Sequence, residues 1–143
     1  LVVKVYVDKL VRLELQSIAE VTVEDTLFVD FLEIRHTALS DIDLMLGGDE
    51  VFIRSRNSAS TKLRGRIKTL KGSIEEVSSL DAGELICDNV LVDTHTKLET
   101  YIRAQKLIYV NIYNSGNVVY VMDEPSEYAI VGINTGSGRL IKK

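Results

Sequence analysis

A short cluster of small or polar residues, closed by an aliphatic one, recurs along this chain. The copies are "QSIAEV" ending at Val21, "TALSDI" at Ile42, "SASTKL" at Leu63, "GSIEEV" at Val77, "DTHTKL" at Leu98, "NSGNV" at Val118 and "TGSGRL" at Leu140. Anchored on the closing aliphatic residue, the spacings are 21, 21, 14, 21, 20 and 22, about 20 per copy with one short step between Leu63 and Val77. A fixed period of this size marks a repeat architecture, in which no unit can bury its apolar face alone and neighbours must stack.

The text between the clusters repeats as well. "LVRLEL", "LFVDFLEI", "VFIRS", "RIKTL", "NVLVD", "IYVNIY" and "YAIVGI" follow in order, each with apolar residues alternating with others. Period-2 alternation rich in Val, Ile, Tyr and Phe is the signature of half-buried strands. Strands joined by small-residue corners at a near-constant period predict an all-β chain, a single-stranded parallel β-helix (solenoid) with coils of about 20 residues, forming one domain over residues 1–143. A sandwich of antiparallel strands is the rival, but it does not require corners of like composition at constant spacing. "SSLDAGEL" and "KLETYIRAQKL" are the best helical candidates, the second reading equally well as two strands meeting at a bend.

In such a solenoid the corners must be small because coils stack at strand spacing, about 4.8 Å. Gly116, Gly136 and Gly138 are expected to supply positive φ there. Leu63, Leu98 and Leu140 are expected to form an inward ladder, each against its equivalent one coil away. Irregular coils are expected where Ile18 and Glu20, Ile74 and Glu75, or His95 replace small residues, and around the short 63–77 step. Pro125, in "DEPSEY", is a turn or edge residue by its chemistry.

Charge and cysteine content narrow the function. A net charge of −4 argues against nucleic acid as a partner, since no clustered basic surface stands out. Lys62, Arg64, Arg66, Lys68 and Lys71 alternate as if on one solvated strand face. Cys87 is the only cysteine, which rules out an intrachain disulfide, and its apolar run "ELICDNVLV" predicts a buried thiol. Every apolar run is soon interrupted by charge, so no segment reads as a membrane span or signal peptide. The chain begins at Leu1 inside an apolar alternation, without Met, and is expected to lack its natural start and any targeting segment.

Catalytic or metal chemistry needs side chains that converge. Asp41 and Asp43 share an outward face, Asp49 and Glu50 follow two glycines, Glu75 and Glu76 are adjacent, and Asp81 and Glu84 flank a glycine; each set reads as solvated strand surface. "LGGDE" does not recur as calcium nonapeptides do, and two acids cannot supply the oxygens a calcium ion needs. His36 and His95 fall at corners about three coils apart, roughly 14 Å at strand spacing, and read as exposed corner residues. No catalytic, metal or cofactor residue is therefore assigned, and no cofactor is expected. Tyr101, Tyr109, Tyr113, Tyr120 and Tyr128 crowd the last third; Tyr109, Tyr113 and Tyr120 form the candidate ligand surface, because aromatic rings on a β face stack on sugars or anchor protein partners.

The corners Thr37-Ala38-Leu39-Ser40-Asp41-Ile42, Ser58-Ala59-Ser60-Thr61-Lys62-Leu63 and Thr135-Gly136-Ser137-Gly138-Arg139-Leu140, with the closing "SGNVVYV", resemble the head GIN domain family of auto-transporter adhesins, from about Leu10 to Lys143. That resemblance implies a right-handed β-helix, exported in Bacteroides-type bacteria to the periplasm or cell surface, often as a lipoprotein anchored outside this stretch. The implied function is a non-enzymatic interaction module that binds a protein or carbohydrate. Two alternatives are a pectinase-type polysaccharide lyase or hydrolase on the same scaffold, and a purely structural or oligomer-forming domain. Arg139, Lys142 and Lys143 would discourage unwanted stacking on the open end.

Overall fold

The computed structural model describes residues 2–123 and 128–143, so Pro125 lies outside the described residues. The strands in chain order are β1 (Arg12–Leu15), β2 (Glu20–Thr22), β3 (Leu27–His36), β4 (Asp41–Ser55), β5 (Ser60–Glu76), β6 (Ser79–Thr96), β7 (Thr100–Ile112), β8 (Val118–Met122), β9 (Ala129–Asn134) and β10 (Leu140–Lys142). They belong to a single sheet, ordered β1-β3-β4-β5-β6-β7-β8-β10, with β2 on β4 and β9 on β7. Every pairing is parallel. The result is a β-solenoid of about seven turns, with coils of about 19 residues.

Parallel stacking places like on like, and the core is a set of aliphatic columns. Leu32, Val51, Leu70, Val90 and Ile108 occupy one column, and all five are fully buried. Burying each such side chain contributes roughly 1.5–3 kcal/mol, which is why short strands without helices hold together. The inward side chains alternate along each strand until a bend, where two neighbours point away from the core, as at Asp30–Phe31 and Lys68–Thr69.

The period is as the sequence implies, but the anchors shift. The rung that begins each coil is Val21, Ile42, Thr61, Leu80, Thr100, Val118 and Leu140, with steps of 21, 19, 19, 20, 18 and 22. The 14-residue step therefore disappears. Leu63 is buried but pairs with Leu44, and Leu140 pairs with Val118, while Leu98 sits on a corner at 39% exposure and Val77 is exposed at 48%. The expected Leu63–Leu98–Leu140 ladder is thus corrected. Thr fills the inward position in two coils, and the aliphatic anchor then lies two residues beyond it on another column, at Leu63, or two residues before it on the corner, at Leu98.

Neither helical candidate is helix: after their corner residues, Ser78 and residues 97–99, both run as strand. Within β6, Ala82 and Leu85 are both buried and three apart because the register breaks between Asp81 and Cys87. Within β7, Ala104 and Ile108 are four apart because the coil bends between them. A bulge and a bend imitate helical spacing without forming a helix.

The corner glycines work differently from the expectation. Positive φ falls on Gly48 and Gly65, and not on Gly116, Gly136 or Gly138. Gly116 and Gly138 are needed for close approach: a Cβ on Gly138 would lie 2.1 Å from the Gly116 carbonyl oxygen, and one on Gly116 would lie 2.0 Å from that of Leu98. Asparagines close other corners by donating to a carbonyl one coil below, Asn57 to Thr37 at 3.1 Å and Asn114 to His95 at 3.0 Å.

Candidate interaction surface

Two kinds of outward column run up the solenoid. In the earlier coils they carry opposite charges in adjacent rungs. Arg64 holds Asp43 through two nitrogens at 3.0 and 3.2 Å, Lys68 holds Asp49 at 3.2 Å, and Lys71 holds Glu50 at 2.9 Å. Arg56 reaches Glu75 at 2.7 Å, and Asp88 lies between Arg66 and Lys106. The five basic residues of β5 do not share one face: the bend at Lys68–Thr69 turns Lys71 onto the next side of the coil. The carboxylates Asp43, Asp49, Glu50 and Glu75 are thereby each held by a Lys or Arg of an adjacent coil.

Further along, the columns turn apolar. Leu91, Tyr109 and Ile130 stand in register on successive coils. Tyr109 is 36% exposed and Ile130 42%. The Tyr109 phenol lies over Gly132, where an added Cβ would come within 2.0 Å of its hydroxyl. Beside this column the Tyr113 ring stacks on His95, centroids 4.2 Å apart and planes 6° from parallel. Asn111 lies between the two aromatic units and is fixed at both ends of its amide, donating to Asp93 at 2.7 Å and accepting from the Ile133 amide at 2.8 Å.

Tyr120 does not join them. It pairs with Ile102, whose side chain is buried, and packs half-buried against the core. Tyr109 and Tyr113 thus share one outward side, while Tyr120 fills the interior near the end of the solenoid. Period-2 counting from the Val118 anchor through "VVYVM" places Tyr120 on the inward side with it, a signal the sequence already carried.

Tyr101 stands on another side, in the column Tyr101–Val119–Ile141. Its hydroxyl donates to Glu99 at 2.5 Å, and that bond, with the Glu99 charge, raises the phenol above its ordinary value. A groove of about 260 Å³ opens here, lined by Asp81, Glu84, Tyr101, Val119, Val121 and Lys143. Arg103 nearby grips Asp123 with two bonds of 2.6 and 2.9 Å, holding that carboxyl below its usual range.

His36 departs most from expectation. It is fully buried, not exposed, with its ring held by Ser40 and Thr61. His95 is exposed. Cys87 is buried as expected, and burial pushes its thiol up to about 12. Among the described residues no three His, Cys, Asp or Glu side chains are grouped to hold a metal, and no helix is long and apolar enough to cross a membrane.

Stacked parallel coils, outward columns of ion pairs and an outward apolar column beside a His–Tyr stack define a parallel β-solenoid, with Tyr109 and Tyr113 on one outward side. The chain belongs to the family described as "Putative auto-transporter adhesin, head GIN domain", whose model matches residues 1–123. Its fold is also that of a crystal structure of a "putative adhesin" from Bacteroides fragilis, with a TM-score of 0.79 and 19% identity. The alignment covers 87% of this chain and 56% of that one, so this chain spans little more than half of that protein's length. No curated protein matches the chain.

Proposed function

We propose that this solenoid is a non-enzymatic, extracytoplasmic adhesion module that binds a protein or glycan through the side bearing Tyr109 and Tyr113. The observation that carries this reading is the outward Leu91–Tyr109–Ile130 column beside the His95–Tyr113 stack. Exposed apolar side chains in register on a soluble surface lower solubility unless they are used in contact. A partner that covers them recovers the hydrophobic free energy, and rigid Tyr rings lose little entropy on binding. Membership of an adhesin family supports the same reading, as does the fold of the Bacteroides fragilis neighbour. Export, and any lipid anchor outside this stretch, belong to the proposal.

The test is an array of glycans and extracellular-matrix proteins probed with the purified chain. Binding to one ligand class is expected, with a Tyr109→Ala/Tyr113→Ala double variant losing about tenfold or more in affinity, the scale of a single aromatic anchor. An unchanged affinity in that variant would overturn the assignment of the surface. Cleavage of an acidic polysaccharide by the same preparation would overturn the non-enzymatic reading.

A further inference from the structure

The outward columns that carry Tyr109 and Asn111 continue in register toward the earlier coils. Phe52, Lys71, Leu91 and Tyr109 form one column. Beside it, Arg35, Arg54, Ser73, Asp93 and Asn111 form the next. Alternate residues of a strand point to one side, so both columns belong to the side that bears Tyr109 and Tyr113. The far end of that side is a cluster of arginines. Arg35 and Arg54 are paired in adjacent rungs, and Arg56 follows Arg54 by two residues.

Like charges directly opposite one another are destabilising. Arg64 and Lys68 elsewhere each hold a carboxylate of their own, Asp43 and Asp49, but here three guanidinium groups divide two carboxylates. Glu33 holds Arg35 at 2.7 Å and Glu75 holds Arg56 at 2.7 Å. Arg54 reaches Glu75 only at 3.8 Å, beyond hydrogen-bond length. Depth sharpens the imbalance. The side chains of Arg35, Arg54 and Arg56 are 45%, 48% and 43% exposed, those of Glu33 and Glu75 only 23% and 19%. A ligand that approaches this end therefore meets the cationic groups first, with the carboxylates beneath them.

We propose that the ligand is an anionic glycan laid along the solenoid axis, its carboxylate or sulfate groups on Arg35, Arg54 and Arg56 and a sugar ring on Tyr109 and Tyr113; this rests on the binding role proposed for that side and adds the chemical class of the ligand. From Arg54 to Asn111 is three rungs, roughly 14 Å at strand spacing, so one small anion cannot engage both ends and a chain of rings can. Each part of the surface matches a part of such a chain. The guanidinium fork donates paired hydrogen bonds to planar carboxylates and to sulfates. A tyrosine ring accepts the apolar face of a sugar. Between them Asp93, which takes one bond from Asn111, has acceptor capacity left for hydroxyl groups. An acidic protein segment matches the arginines alone.

Binding of the purified chain to immobilised polygalacturonate, dextran sulfate, unmodified dextran and polyglutamate tests this at low and high salt. At least one of the two anionic glycans should bind about tenfold or more tighter than dextran and polyglutamate, and should weaken as salt is raised. The two separate a carboxylate from a sulfate preference. Arg54→Gln should reduce that affinity about tenfold, the scale of a lost charge-assisted hydrogen bond, whereas Arg64→Gln should leave it unchanged. The Tyr109→Ala/Tyr113→Ala variant should reduce it as well. Dextran bound as tightly as its sulfate, with loss in the tyrosine variant, would overturn the anionic class and leave the binding surface standing. Loss in Arg54→Gln with none in the tyrosine variant would overturn both. Polyglutamate bound as tightly as the glycans, no binding to either anionic glycan, or an unchanged affinity in Arg54→Gln would each overturn the proposal.

Discussion

The earlier and later coils share one core and differ on their outer faces. From β4 to β6 the outward columns read as ion pairs between rungs, Asp43 with Arg64, Asp49 with Lys68 and Glu50 with Lys71. From β7 to β10 the equivalent columns read Tyr101–Val119–Ile141 and Tyr109–Ile130, the second continuing from Leu91 at the end of the earlier region. Inside, both halves use the same aliphatic stacking. The coils from β4 to β6 therefore stack behind charged outer columns, and the outward apolar residues of the later half are available for contact, as are Phe28 and Phe31 of β3.

The comparison can be broken in several ways. The largest expected effect lies in the shared column: Leu70→Ala and Ile108→Ala should each destabilise by about 2–5 kcal/mol, in a single denaturant transition. A separate early transition for Ile108→Ala would mean that the halves do not share one cooperative core. Next come the corners. Gly116→Ala forces a Cβ toward the Leu98 carbonyl and should cost about 1–3 kcal/mol, whereas Ala59→Gly in an earlier, buried corner should cost about 1 kcal/mol, measured by thermal unfolding.

Smaller effects sharpen the contrast between outer faces. Arg64→Met removes a partly exposed charge but keeps its stem; it should cost less than about 1 kcal/mol and be largely masked by high salt. Tyr109→Ser should show no such salt dependence, and a matching one would mean that the later face is also organised by charge. The smallest effect belongs to the Arg103–Asp123 pair. Because Arg103 lowers the Asp123 carboxyl, its contribution is complete above the ordinary carboxylate value and is lost as pH falls through the lowered one. Asp123→Asn should flatten a shallow slope in melting temperature at acidic pH, and a slope left as steep in the variant would count against the pair.

Much of the architecture was legible because stacking imposes a period. Seven clusters at about 20 residues and alternation between them give a solenoid, and the family resemblance agrees with it. Individual rungs were less legible. Thr61 and Thr100 occupy inward positions that a hydrophobic pattern reserves for aliphatic residues, so neighbouring Leu63 and Leu98 were mistaken for the ladder. His36 was misplaced for a related reason. A histidine beside small polar residues looks solvated until its partners, Ser40 and Thr61, prove to be buried with it.

For the candidate surface, tyrosine enrichment in the last third pointed to the right region, and strand geometry then divided it. Tyr109 and Tyr113 face out and Tyr120 faces in, since a pleat sends alternate residues to opposite sides and only the true register says which side is which. The amino-acid order by itself determined that this chain stacks upon itself in short coils, because recurring corners rich in small residues are a solution to close backbone approach. Only the folded coil decided which tyrosines reach solvent, which charges meet and where a histidine is closed off from water, because those depend on contacts between residues about 20 positions apart.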